Sequence, residues 1–219
     1  IAFMDGIVVG GGLGISQVAA LRVVTERTKM AMPETAIGLF PDVGGGYFLS
    51  RCPGRVGEWL ALTGDTIGAG DAIAYQLADG CMPSDRQAAV WDALATQSFA
   101  DGAAIKAYVA SQFVAAQASG SSAQADIDQY FALPTVGEIV QGLEAADSDW
   151  ARATAATLRK RSPLMLHVVL EQIRRARTMG LADDLRMERD MVRHCFFLRP
   201  GQSETVEGIR ALAVDKDHA

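Results

Sequence analysis

The stretch Met32-Pro33-Glu34-Thr35-Ala36-Ile37-Gly38-Leu39-Phe40-Pro41-Asp42-Val43-Gly44-Gly45-Gly46 limits what this chain can fold into more than any other. Pro41 breaks any continuous helix through it, because proline has no amide proton and its ring collides with the preceding turn. The segment is therefore expected to be a loop. A loop can fold back and bring Glu34 and Asp42, eight residues apart in sequence, to one pocket. Their neighbours are mostly apolar, so ionising both acids is costly, and a carboxyl group in that position becomes a proton carrier near neutral pH. The plainer reading is a buried turn in which Asp42 caps a helix and Glu34 faces water.

Composition narrows the classes. With 219 residues, 49% hydrophobic and 21% charged, the chain has the make-up of a globular protein rather than a disordered one. A net charge of −6 argues against a nucleic-acid binder, although an acidic protein can still hold a polyanion locally. The basic cluster Arg174-Arg175-Ala176-Arg177 sits on a helical pattern and is expected to be a solvated face. Cys52, Cys81 and Cys195 are far apart and odd in number, which speaks against a disulfide framework or a zinc site and suits a reducing compartment. His167, His194 and His218 form no ligand pattern, so no metal site is expected. No apolar run reaches the ~18 residues of a membrane span, and no signal peptide is visible. Ile1-Ala2-Phe3-Met4 reads as the middle of a buried strand, so the chain is expected to be cut at its N-terminus.

In order, residues 1–9 are strand material interrupted by the turn or bulge signal Asp5-Gly6. Gly10, Gly11, Gly12 and Gly14 follow, leading into a helical run from Ile15 to Leu21. Strand, glycine turn and helix together aim backbone N–H groups at a partner. Three readings stay open: a phosphate cradle, an oxyanion hole, or close helix–strand packing with no ligand. The spacing is not that of a dinucleotide fingerprint or a P-loop. Arg22–Glu26 and Lys29–Met32 read as short strands around a turn, and Tyr47–Arg51, Val56–Thr63 and Asp71–Ala78 as short helices. This alternation predicts an α/β core over residues 1–83. From Ser84 onward helical patterns take over, giving a mostly helical region over 84–219. Within it, 118–125 is expected as a polar surface link, Thr135 and Glu138 as a capping box, Ser162-Pro163 as a helix start, and Ala182–Phe197 as a helix.

Two motifs then coincide. GGGLG opening a helix, followed by MPETAIGLFPDVGGGYFL, resembles the crotonase (enoyl-CoA hydratase/isomerase) superfamily, and within it the 3-hydroxyisobutyryl-CoA hydrolases. The agreement is close over residues 1–80 and looser through SPLML, ERDMVRHC and EGIRALAVDKD. The resemblance implies an incomplete spiral of ββα turns followed by C-terminal helices that drive trimerisation or cover the site. It implies an acyl-CoA substrate, with CoA as part of that substrate and no separate cofactor, and hydrolysis of a short branched hydroxyacyl-CoA such as 3-hydroxyisobutyryl-CoA in valine catabolism. Glu34 and Asp42 take the places of the paired catalytic carboxylates. Gly11, flanked by Gly10 and Gly12, takes the place of the second oxyanion donor.

That assignment agrees with the chemistry. Backbone donors at a helix start meet the charge that develops on a thioester oxygen, while Glu34 attacks the carbonyl or deprotonates a water and Asp42 assists. A hydratase of the superfamily carries a Glu three residues after the central glycine, where this chain has Gly14. A dienoyl-CoA isomerase carries a similar acid pair; the MPET…FPDVGGGYFL wording and the long helical stretch between Ser84 and Ser162 favour the hydrolase. A truncated domain that only binds acyl-CoA is the non-enzymatic alternative. The resemblance places the family's first oxyanion donor and its adenine and pyrophosphate contacts in an upstream segment, which is expected to lie beyond the cut N-terminus. Gln76 stands where relatives often have Gly, at an expected left-handed helix end. The expected location is the cytoplasm, with a mitochondrial matrix as the alternative.

Overall fold

In the computed structural model, residues 1–118 and 123–216 are described. The strands are β1 (Ala2–Met4), β2 (Ile7–Val9), β3 (Arg22–Val24), β4 (Lys29–Ala31) and β5 (Gly80–Cys81). Among them and after them run the helices α1 (Gly11–Gln17), α2 (Gly45–Leu49), α3 (Val56–Thr63), α4 (Ala69–Ala74), α5 (Gln87–Thr96) and α6 (Gly102–Ala110). The chain continues with α7 (Gln124–Phe131), α8 (Val136–Ala145), α9 (Asp149–Leu158), α10 (Pro163–Ala176), α11 (Leu181–Phe197) and α12 (Glu204–Ile209), which passes into a π-helical turn, Arg210–Val214. A 3-10 turn occupies Glu34–Ile37. After Cys81 every regular element of the described residues is helical. None of these helices is long and apolar enough to cross a membrane.

The chain forms two compact units that interleave in sequence, Ile1–Met30 with Thr66–Ser121, and Ala31–Asp65 with Ser122–Ala219. In the first, β1, β3 and β5 make a parallel sheet in that order, with Phe3 opposite Val23 and Val24 opposite Cys81. Arg22–Glu26 and Lys29–Met32 do contain strands around a turn, yet these pair with other strands: β3 with β1 and β5, β4 with β2. Parallel neighbours cannot be joined by a tight hairpin, so each return runs through a crossover. Leu21, Val23, Met82, Val90 and Val109 form a buried cluster between sheet and helices, joined by Phe3, Leu94, Tyr108 and Phe113.

Helix α1 starts earlier and stops earlier than the pattern predicts. Gly10 caps it at φ 55, ψ −125, a backbone shape only glycine adopts easily, so the glycines themselves enter the helix. Residues 19–21 are needed to return the chain to the sheet, where Leu21 is buried and its carbonyl accepts from the Ala2 amide at 2.9 Å. Helix α4 also ends before Ala78. Gln76 adopts φ 63 just beyond it, the left-handed helix end expected at that position.

The second unit is built on α3, buried at every position from Val56 to Thr63. A helix buried all round must be enclosed, and α3 packs against α2, α7, α9, α10 and the Glu34–Ile37 turn. Gly57 makes room for the Leu49 carbonyl, which would lie 2.0 Å from a Cβ there. Local signals operate as read: Thr135 and Glu138 form a reciprocal capping box on α8, and Ser162 caps α10 with Pro163 in its first turn. The polar stretch 118–125 is not all link, since Gln124 already begins α7; residues 119–122 lie outside the described residues, as do Asp217, His218 and Ala219.

The Arg174–Arg177 cluster is not a solvated face. Arg174 donates to the carbonyls of Leu133 and Pro134, both at 2.6 Å, beyond the end of α7. Arg177 donates to Gly54 O at 3.0 Å and to Glu58 at 2.6 Å, and Glu58, fully buried on α3, also receives Arg55 at 2.9 Å. Arg175 alone of the three keeps the expected role, pairing with Glu171 in water. Carbonyls at helix and turn ends need donors, and long guanidinium arms on a packed helix reach them.

Candidate active site

The segment Met32–Gly46 folds back as anticipated, within the second unit. Glu34 opens the 3-10 turn, and three bonds fix that turn from different elements. Thr35 donates its hydroxyl to Leu62 O on α3 at 3.1 Å, and its own carbonyl accepts from the Ser162 amide at 3.3 Å. The Gly38 carbonyl accepts the Thr205 hydroxyl of α12 at 2.7 Å. Gly38 has φ 63, and a Cβ there would lie 2.3 Å from the Glu204 carbonyl oxygen, so α12 can close on the turn only against a glycine.

Glu34 is 7% exposed, and its Oε2 has no hydrogen-bond partner among the described residues. Burial pushes its pKa from 4.5 to about 7, and the nearby charge of Asp42 pushes in the same direction. Asp42 is half-buried, and burial raises it as well. The fold thus brings the two acids within electrostatic reach of each other and makes the plainer reading, an exposed Glu34, untenable. A buried carboxyl group that titrates near neutrality, with one oxygen unpartnered, can take up or release a proton there.

Asp42 sits at the start of a turn that continues through Val43 at φ 56 and Gly44 at φ 83 into α2. Carboxyl groups from α11 and an amide from α10 reach this turn, through Asp184, Glu188 and Gln172. The sequence alone did not single these three out. The acids lie in LADDLRMERD, where exposed and buried carboxylates look alike, and burial on one face is the signal that separates them.

Gly10, Gly11 and Gly12 belong to the first unit. Gly11 and Gly12 open α1 and are exposed, and a Cβ built at either meets nothing within 4 Å. Close packing around those two glycines is therefore not what selects them; at Gly10 the backbone conformation is. Among the described residues no group of three or more His, Cys, Asp or Glu side chains could hold a metal ion.

The sequence model of the family described as enoyl-CoA hydratase/isomerase matches residues 1–219. 3-Hydroxyisobutyryl-CoA hydrolase 1 of Arabidopsis thaliana is 38% identical over 227 aligned residues, which take in 99% of this chain and 59% of that protein. The crystal structure of a carnitinyl-CoA dehydratase from Mycobacterium thermoresistibile superposes with a TM-score of 0.86 at 39% identity, over 97% of this chain and 60% of that one. An enoyl-CoA hydratase from Rhodobacter sphaeroides 2.4.1 gives a TM-score of 0.84 at 37% identity, over 99% of this chain and 60% of that one. The chain thus spans about three-fifths of the length of these relatives.

Proposed function

The chain belongs to the enoyl-CoA hydratase/isomerase family, and we propose that within it the protein hydrolyses the thioester of a short branched hydroxyacyl-CoA, of the 3-hydroxyisobutyryl-CoA kind. Its fold is the crotonase-like α/β arrangement implied by the two motifs, with short parallel strands and many helices. Relatives of similar identity carry the names of a hydrolase, a dehydratase and a hydratase, so the reaction has to be argued from side chains.

The observation that carries the reading is Glu34: buried, without a partner for Oε2, and titrating at about 7. Thioester hydrolysis adds water across the C–S bond and releases an acid and the CoA thiol. A carboxylate must either attack the carbonyl carbon, to be freed later by water, or remove a proton from an attacking water. Glu34 suits either role. Its proton affinity is matched to neutral pH, and Oε2 has no hydrogen-bond partner among the described residues. Asp42 supports it by keeping a second carboxyl group close, available to orient the water or to hand a proton to the leaving thiolate. A hydratase assignment is disfavoured because Gly14 offers no carboxyl group at the position where hydratases of this superfamily carry a Glu. The role of Gly11 as a backbone donor to the thioester oxygen rests on the resemblance of the GGGLG motif alone.

The test is release of free CoA, followed with a thiol reagent, from a panel of acyl-CoA thioesters. Hydrolysis should be fastest for a short branched hydroxyacyl group, rise with pH through about 7 as Glu34 ionises, and disappear in Glu34→Gln. A shift in diene absorbance without CoA release would assign an isomerase instead. No release from any thioester, or full release by Glu34→Gln, would overturn the proposal.

A further inference from the structure

The turn carrying Asp42 is gripped from both sides by buried side chains distant in sequence. Before Asp42, Gln172 of α10 donates Nε2 to the Pro41 carbonyl at 2.7 Å. After it, Glu188 of α11 accepts from the Gly44 amide at 2.9 Å through Oε2 and from the Gly46 amide at 3.3 Å through Oε1. One helical turn earlier, Asp184 accepts the Tyr47 amide at 2.9 Å through Oδ2. Gln172, Asp184 and Glu188 are all buried.

What they grip is strained. Val43 is β-branched, yet it holds φ 56, and Gly44 follows at φ 83. A β-branched residue at positive φ is an outlier that persists only where its surroundings over-determine it. The glycines fit the grip: a Cβ at Gly46 would lie 2.3 Å from Asp184 Oδ1, and one at Gly45 would lie 2.8 Å from Pro41 Cβ.

Two carboxyl groups on one helix face, both buried and both turned to the same few amides, cannot comfortably carry two charges. Asp184 Oδ1 is buried and has no hydrogen-bond partner among the described residues. A single proton shared with Glu188, one helical turn away, would supply that donor.

We infer that Asp184 and Glu188 share one proton and act as positioning residues, holding the strained Val43 turn so that Asp42 stays beside Glu34, and that losing this proton loosens the grip. Burial pushes Glu188 up to about 8, reinforced by the charge of Asp184, and burial raises Asp184 too. The groups facing the pair are few. Arg51, just after α2, draws Asp184 down, the amides of Gly44 and Gly46 draw Glu188 down, and α10 contributes the neutral Gln172. That the grip serves thioester chemistry rests on the proposed hydrolase; the grip itself does not.

The deciding measurement is the pH dependence of the Gly44, Gly46 and Tyr47 amide resonances, from about pH 6 to about pH 9.5. In the unaltered protein they should shift together with a midpoint near 8, and in Glu188→Gln, which keeps an acceptor for the amides and a donor for Asp184, that transition should vanish. Flat resonances in the unaltered protein, or an unchanged transition in Glu188→Gln, would overturn the inference. A kinetic arm separates positioning from mere stability. Glu188→Ala should lower kcat about tenfold to a hundredfold with little change in KM, and the conservative Glu188→Gln should restore most of it at neutral pH. Normal kcat in a folded Glu188→Ala protein would remove the positioning role. An amide transition with no acyl-CoA turnover in any form would leave the grip standing and the hydrolase reading fallen.

Discussion

Replacing Glu34 with Gln removes the proton-binding group and keeps its size, so it should improve stability at the expense of chemistry. The magnitude follows from burial. Glu34 is 7% exposed and holds its proton up to about pH 7, whereas in the unfolded chain it lets go near 4.5. Between those values the folded state binds more protons than the unfolded state, so stability falls as pH rises, with the full contribution present below about 4.5 and lost above about 7. That interval corresponds to about 3 kcal/mol. Gln cannot ionise, so Glu34→Gln should lack this loss. Urea or thermal unfolding of both proteins at pH 4.5 and pH 8 gives the difference of differences. Any constant effect of the amide cancels, as do Asp184 and Glu188, which are present in both. The variant should gain about 3 kcal/mol relative to the parent on going from the acidic to the basic condition, or roughly 6–12 °C in Tm for a chain of this size. A stability difference that stays flat across that range would show that Glu34 is not a buried acid of raised pKa, and the chemical argument would fall with it.

Other expectations concern the backbone. Gly38→Ala should cost more than about 2 kcal/mol in urea unfolding, because its Cβ meets the Glu204 carbonyl oxygen at 2.3 Å as well as a φ of 63. Gly201→Ala, at φ 74 but with open space around it, should cost only about 1 kcal/mol, and equal losses for the two would refute the steric argument. Gln76→Gly should raise stability by about 0.5–1 kcal/mol, since Gln76 is exposed and holds φ 63 just past α4; a loss on the same measurement would contradict it.

Legibility in the sequence followed the range of the forces involved. The capping box of Thr135 and Glu138, the Ser162-Pro163 helix start and the helix break at Pro41 are set by residues within a few positions of one another. Such interactions depend little on distant parts of the chain, so the sequence by itself determined them, together with the α/β character and the family. The strand partners, the early end of α1 and the roles of Arg174 and Arg177 depended on which distant surface each segment met. The acids show the division most clearly. Glu34 and Asp42 could be named from their motif, but the rise of Glu34 to about 7 arises from desolvation, a property of everything packed around it. Asp184 and Glu188 stand in a helix full of charge, and only the docking of α11 on the start of α2 separates them from their solvated neighbours. Burial is decided by the whole chain at once, and tertiary structure alone determines which carboxyl groups lose their water.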